Sequence, residues 1–182
     1  MKSGVKTLGV IKRITNSWGK KTSPEDLALI DFYLDDPGKF LFSQMSRIDQ
    51  KHALTVANAI LTKATTATET VELKTLVTAA LLHDIGKVEG DFNFFSRMMV
   101  GIVRRIRPAL RGKLAMRYPL TFWEKFRYGL YVDLVHPARG AHMARIFGVD
   151  QQIVEIIRHH HDPPRSDQSA ELTWLQLADN KS

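Results

Sequence analysis

The sequence predicts an all-α domain, and two observations about its apolar residues support this. Apolar side chains recur every three to four residues through most segments, which is the spacing of a helix with one buried face. No segment shows the strict apolar–polar alternation of a half-buried strand, and there is no internal repeat. We therefore expect residues 23–182 to form a single helical bundle, large enough to bury a core without disulfides.

The composition limits the possible chemistry. The chain contains no cysteine, which excludes disulfides, thiolate metal sites and cysteine nucleophiles. Any metal ion must therefore be bound through nitrogen and oxygen. A formal net charge of +7 favours an anionic partner: a nucleotide, a nucleic acid or an acidic lipid headgroup.

A basic segment, residues 1–22, precedes the predicted domain, and its sequence does not indicate a role. It lacks the continuous apolar stretch of a secretion signal, so we expect a cytoplasmic protein. The longest apolar stretches are far shorter than the ~20 residues that span a bilayer, so we expect the protein to be soluble.

The first two helices are predicted from a cap and from apolar periodicity. Ser23 can cap a helix that has Pro24 in its first position, and the turn-forming residues 35–38 should end that helix. A second helix is predicted over 48–62, where His52 shares the apolar face. A histidine should therefore point toward the core.

After a threonine-rich connector at 62–70, the stretch from Val71 to Ile85 is apolar around nearly its whole circumference. This pattern predicts a central helix packed on all sides, with His83 and Asp84 in its last turn.

Two further helices are predicted from their proline and glycine boundaries. Pro137 and Gly148 should bracket a short helix with His136 at its N-terminal edge. The next helix should run from Gln151 to His161, because the prolines that follow forbid its continuation.

The last predicted helix places a carboxylate on an apolar stripe, since Leu172, Leu175 and Asp179 share one face. Burying an ionised aspartate without a partner is costly, and Asp84 is also expected to face inward. Neutral imidazoles and carboxylates are common ligands of manganese, iron and zinc. The sequence therefore predicts one metal site formed by His52, His83, Asp84 and Asp179.

A second ion could be bound by the later histidines. His136 and His160 are its predicted ligands, with Asp84 bridging the two ions, and His161 is placed among the substrate-binding residues. Two ions ~3.5–4 Å apart can activate a water and hold a phosphoryl oxygen. The expected cofactor is one or two divalent transition-metal ions, iron, manganese or zinc, with magnesium as an alternative.

Lys87 lies one turn beyond Asp84 and is predicted to face a substrate phosphate, so Asp84 and Lys87 are the predicted catalytic residues.

An isolated histidine usually has a structural or surface role, and His142 fits this because it lies on a different face from His136. The residues 159–161 could similarly be a solvated helix end. Several inward-facing ligands on separate helices are better explained together, by a metal centre.

These motifs resemble those of the HD superfamily of metal-dependent phosphohydrolases. The run AALLHDIGK at 79–87 is similar to the core signature of the superfamily, and QKHAL at 50–54 is similar to its upstream histidine motif. HPARGA at 136–141 and HHD at 160–162 resemble the additional histidines of the binuclear subgroup, and LQLAD at 175–179 resembles the terminal metal aspartate. The resemblance covers about residues 48–179 and implies a helical HD domain that hydrolyses phosphoesters or phosphoanhydrides.

Two subgroups of the superfamily are similar. The HD-GYP cyclic di-GMP phosphodiesterases share the HDIGK run, but this chain reads PPRSD at 163–167 and lacks their Gly-Tyr-Pro segment. The small diadenosine tetraphosphate hydrolases share the single domain and the histidine layout. The resemblance therefore implies a phosphorylated small molecule as substrate, a nucleotide such as a dinucleoside polyphosphate.

A basic insertion at about 92–131 separates the HD motif from the later histidines. Nine basic residues and one acid, Glu124, lie between Arg97 and Arg127, interleaved with aromatic residues. The insertion could cover a polyphosphate, stack bases or lie on an anionic membrane, or it could be a helical pair that covers the core. Two other functions therefore stay open. The protein could be a non-catalytic nucleotide-binding regulator, or it could bind a membrane surface or a nucleic acid through the insertion. Of these last two partners, the membrane is preferred to nucleic acid.

Overall fold

The computed structural model describes residues 23–66, 70–119 and 121–182, and within these ranges the chain is helical, which confirms the predicted fold class. The basic segment 1–22 and part of the threonine-rich connector lie outside the described residues. One isolated β-bridge joins Met45 and Val88, and the described ranges contain no strand. The helices are α1 (Pro24–Tyr33), α2 (Asp36–Ser43), α3 (Arg47–Ala64), α4 (Leu73–Leu82), α5 (Phe94–Ile106), α6 (Leu110–Leu114), α7 (Phe122–Ile146), α8 (Gln151–His159) and α9 (Ala170–Lys181).

Helix α4 is the central helix, as its apolar circumference predicts. All residues from Leu76 to Leu82 except Thr78 are buried. The helix contacts α1, α2, α3, α8 and α9. Because an apolar helix needs neighbours on every side, this packing places the C-terminal end of α4 deep in the bundle.

The first helix begins and ends as predicted, but a second helix follows at once. Ser23 caps α1, which ends at Tyr33. The residues predicted only to end α1 also begin α2, because the Asp35 side chain accepts a hydrogen bond of 2.9 Å from the backbone N–H of Gly38.

Helix α7 is much longer than the sequence predicts. A short helix was predicted to begin at Pro137, whereas α7 is 25 residues long and contains Pro137 in its interior. Proline lacks a backbone N–H, which leaves the carbonyl of Asp133 without its helical partner. The ring of His136 contacts that carbonyl instead, with Nδ1 2.9 Å from the oxygen. The helix can therefore continue through the proline, and His136 lies within it rather than at its start.

Two helices end earlier than predicted, and each stops next to a histidine. Helix α4 ends at Leu82 rather than Ile85, and α8 ends at His159 rather than His161. His83 and His160 are therefore the C-terminal caps of these helices. Each ring contacts a carbonyl of the last helical turn, where backbone acceptors have no helical partner.

The basic insertion forms α5, α6 and the first part of α7. Helix α5 packs on α7, and α6 contacts both. The Arg97 side chain of α5 donates to the buried carboxylate of Asp49 in α3, with 2.8 Å between Nη2 and Oδ2. This ion pair fixes α5 over the N-terminal part of α3. No helix in the described ranges is long and apolar enough to cross a membrane.

Candidate metal centre

The four residues of the predicted first metal site lie together. His52 Nε2 is 2.8 Å from Asp179 Oδ1, which joins α3 to α9. His83 Nε2 is 3.6 Å from Asp84 Oδ2 and 3.9 Å from Asp179 Oδ1. One potential ligand atom from each of His52, His83 and Asp84 lies within 4.8 Å of the other two. His83 and Asp84 are buried, whereas His52 is half-buried at the edge of the centre.

The later histidines form a second cluster beside the first. Potential ligand nitrogens of His136, His160 and His161 all lie within 4.8 Å of one another, and Nε2 of His136 is 3.2 Å from Nε2 of His160. The predicted ligands His136 and His160 are therefore together and buried. His161, predicted to bind substrate, lies beside them, so its position also suits a metal ligand.

Asp84 lies between the two clusters and presents one carboxylate oxygen to each. Its Oδ1 is 3.2 Å from His136 Nε2 and 3.8 Å from His160 Nε2. Its Oδ2 is 2.8 Å from Lys87 Nζ and faces His83. This is the arrangement that a bridging carboxylate requires.

The three buried histidines are oriented in the same way. The Nδ1 atoms of His83, His136 and His160 lie 2.8, 2.9 and 2.7 Å from the backbone carbonyl three residues earlier. Each carbonyl is available because a helix ends there or because Pro137 removes a donor. A neutral imidazole has one N–H, and its use at Nδ1 leaves the lone pair of Nε2 facing the centre.

Burial keeps the imidazoles of the second cluster, His136, His160 and His161, neutral. It lowers the pKa of His136, and the charge of Lys87 lowers that pKa further. Burial also lowers the pKa of His160 well below its ordinary value and is the largest cause of the lowered pKa of His161. Neutral imidazole is the form that binds a metal ion.

The carboxylates are held ionised. Burial alone would raise the pKa of Asp84, but the charge of Lys87 is the largest of the effects that hold the pKa well below its ordinary value. Burial also opposes ionisation of Asp179, and the hydrogen bond from His52 overcomes it and lowers the pKa. Both groups are therefore in the protonation state of a metal ligand.

Three buried atoms at this centre have no hydrogen-bond partner among the described residues, namely His83 Nε2, Asp84 Oδ1 and His161 Nε2. A buried polar atom without a partner is costly, and such atoms are few in native proteins. A divalent cation bound by nitrogen and oxygen would satisfy these acceptors together. The residues present therefore fit the metal centre that the sequence predicts.

A family model described as Cas3, HD domain matches residues 18–181. The chain belongs to this family. The Cas3 HD domain is a metal-dependent phosphohydrolase domain of the HD superfamily, which confirms the resemblance drawn from the sequence motifs. No curated protein and no solved structure matches the chain.

The candidate metal centre of this Cas3 HD-family chain opens into a cleft of about 450 Å³. Lys87 and His161 line it together with His52, Asp84 and Asp179 of the first cluster. Helix α5 also lines the cleft and contributes Arg97, Val100, Gly101, Arg104 and Arg105. Of the alternatives that the sequence left open for the basic insertion, this position favours a cover over the cleft.

Arg104 is the cleft arginine nearest the centre. Its Nη2 lies 3.4 Å from His161 Nδ1, and its Nη1 lies 3.8 Å from Asp133 Oδ1. The side chain is about two-fifths exposed, at 39%. It can therefore turn toward a ligand in the cleft.

Two buried acids that were not predicted from the sequence support this HD domain. Asp49 pairs with Arg97, and Asp133 accepts a hydrogen bond of 2.6 Å from Arg111. Each acid lies three residues before a predicted metal-binding histidine of the same helix, so the two side chains share a face. That spacing was the signal that could have identified them.

Two histidines of this HD domain lie outside the centre. His142 is exposed on α7, which agrees with the surface role predicted for it. His159 is part-exposed and lies 2.7 Å from Asp162. The alternative of a solvated helix end therefore describes His159 but not His160, which is buried in the second cluster.

Proposed function

We propose that this HD domain hydrolyses a phosphoester or phosphoanhydride of a small molecule, a nucleotide such as a dinucleoside polyphosphate. The observation that carries the proposal is the position of Asp84 between two histidine clusters, with one oxygen toward each. Membership of a metal-dependent phosphohydrolase family supports the reaction class. The proposed substrate rests on the charges in the cleft.

The metal-binding roles follow from the geometry of the donors. His52, His83, Asp84 and Asp179 would hold one divalent ion, and His136, His160 and His161 would hold a second with Asp84 shared. Bound here, such ions supply Lewis-acid activation of water and of a phosphoryl oxygen. The i−3 carbonyl contacts of the buried histidines fix the nitrogens that would face the ions.

Lys87 supplies fixed positive charge at the cleft floor. Its side chain is only 12% exposed, and its ammonium lies 2.8 Å from Asp84. A preorganised cation in a desolvated site stabilises negative charge as it develops on a transferred phosphoryl group. We therefore assign Lys87 to transition-state stabilisation and to substrate binding.

The cleft suits a nucleotide that carries several negative charges. Arg104 and Arg105 line it together with Lys87, and Phe92 adds an aromatic ring. Its volume of about 450 Å³ falls in the range of small-molecule sites. Arg97 is paired with Asp49, so we assign it to the structure of the wall rather than to phosphate binding.

The test is metal analysis of the purified protein combined with a hydrolysis screen. The screen covers cyclic dinucleotides, dinucleoside polyphosphates, nucleoside triphosphates and nucleoside monophosphates. The variant Asp84→Asn keeps the shape of the side chain and removes its charge. The matched control is Asp167→Asn, because the Asp167 side chain is 79% exposed.

We expect Asp84→Asn to lose bound metal and to lower hydrolysis at least about a hundredfold, and the control to retain both. Retention of metal and activity by Asp84→Asn would refute the role of Asp84. A metal-loaded protein that binds a nucleotide but hydrolyses none would instead identify the non-catalytic regulator.

A further inference from the structure

At the outer end of the basic insertion, several basic residues form no ion pair with an acid of the part of the chain that the structure describes. Residues 92–123 contain seven basic residues and no acid. Three of the seven, Arg97, Arg104 and Arg111, are directed toward the buried acids Asp49 and Asp133. The other four are exposed between residues 105 and 118, a surface that we call the α5–α6 tip: Arg105, Arg107, Lys113 and Arg117.

Large apolar side chains are exposed among these cations. The exposed fractions are 49% for Ile106, 39% for Leu110 and 72% for Tyr118. On the inner side of α5, Val100 is buried and lies close to α7 at Gly129. The apolar residues of the tip are thus not those that fix α5 to the domain, and they are available to a partner.

We propose that the α5–α6 tip docks on an anionic lipid surface. Ile106 and Leu110 would enter the headgroup region, while Arg107 and Lys113 would face lipid phosphates. Interfacial binding combines burial of apolar side chains with attraction of basic residues to anionic lipid, and the tip offers both. Among the described residues, Arg107 and Lys113 form no ion pair that would compete.

The mixed character of the tip favours a membrane over nucleic acid. A nucleic acid backbone would gain from the basic residues, and a base could stack on Tyr118. Ile106 and Leu110 would gain nothing from phosphates, although they are among the exposed apolar residues of the tip. The docking does not depend on hydrolysis, so the two proposals can fail separately.

The experiment is co-sedimentation of the protein with vesicles of phosphatidylcholine, with and without phosphatidylglycerol. We expect binding only to the anionic vesicles, weakening as salt rises. The double variant Arg107→Gln with Lys113→Gln should bind about 25-fold more weakly. Each basic residue near an anionic surface raises the affinity about fivefold, and the variant removes two. Ile106→Ser with Leu110→Ser should also weaken binding, although its charge is unchanged.

The matched control is Arg145→Gln with Arg165→Gln, which removes the same charge from exposed positions outside the tip. We expect it to bind as the wild type does, and melting curves check that all variants fold. Absence of binding to anionic vesicles would overturn the proposal. An equal loss of vesicle binding in the control would also overturn it. The proposal would likewise fail if the Ile106→Ser, Leu110→Ser variant bound vesicles as the wild type does and a DNA oligonucleotide displaced the protein from them.

Discussion

The ring of His136 contacts the backbone carbonyl that Pro137 leaves without a helical partner. His136 Nδ1 lies 2.9 Å from the carbonyl oxygen of Asp133, four residues before Pro137. Any other residue at position 137 would offer a backbone N–H to that oxygen. The proline therefore helps to determine which nitrogen of His136 faces Asp84.

We expect Pro137→Ala to separate metal affinity from fold stability. The new backbone N–H would compete for the Asp133 carbonyl and loosen the orientation of His136. Loss of such an orienting contact lowers metal affinity about tenfold or more. Removal of proline from a helix interior should raise the free energy of unfolding of the metal-free protein, by up to about 3 kcal/mol. Calorimetric titration with zinc or manganese and urea unfolding measure the two effects.

The control for this substitution is Pro164→Ala, because Pro164 is exposed and lies outside the helices. It should leave metal affinity unchanged. Equal metal affinity in Pro137→Ala and the wild type would show that the carbonyl contact does not orient His136.

The helices and their apolar faces could be predicted from the sequence, but their ends at the metal centre could not. Helix α3 was predicted over 48–62 and extends over Arg47–Ala64, because apolar spacing defines the body of a helix. The ends of α4 and α8 depend on contacts between the rings of His83 and His160 and backbone carbonyls. Apolar spacing contains no information about such contacts.

The cleft wall could not be predicted, because it depends on contacts between distant residues. Arg97 and Asp49 are 48 residues apart, and the sequence showed only that basic residues are frequent in the insertion. A count of charges does not tell which cations are buried against acids and which are exposed. The structure separates Arg97 and Arg111 from the exposed Arg107 in this way.

Gly86 permits close contact between the turn after Asp84 and helix α7. A Cβ at this position would lie 2.0 Å from the carbonyl oxygen of His136 and 2.8 Å from the backbone nitrogen of Gly140. Backbone atoms cannot move aside as a flexible side chain can. We therefore expect Gly86→Ala to lower the free energy of unfolding by about 3 kcal/mol and to weaken metal binding by separating Asp84 from His136.

Urea unfolding and metal titration check this prediction, with Gly112→Ala as the control. A Cβ at Gly112 would meet no atom within 4 Å, and the residue lies inside α6. Alanine there should be neutral or stabilise by up to about 1 kcal/mol. A fully stable Gly86→Ala variant would contradict the close contact.

The ion pair between Arg97 and Asp49 should be a major link between α5 and α3. Both side chains are largely buried, with exposed fractions of 16% and 5%. Removal of one partner leaves a buried charge, so Arg97→Ala should lower the free energy of unfolding by about 3 kcal/mol. Asp49→Ala with Arg97→Ala should cost less than the sum of the two single changes. The exposed pair of Arg165 and Asp167 is the control, because Arg165→Ala should cost less than about 1 kcal/mol.

Metal binding should stabilise the folded domain through Asp84. A ligand that binds only the folded state at about 100 times its Kd adds about 2.7 kcal/mol to the free energy of unfolding. In a domain of this size, that corresponds to a rise in Tm of about 5–10 °C, measured on metal-free protein before and after addition of manganese or zinc. Asp84→Asn should show little of this rise, whereas the exposed control Asp167→Asn should show all of it. An equal rise in both variants would mean that the ion binds elsewhere and would remove the physical basis for a shared carboxylate at Asp84.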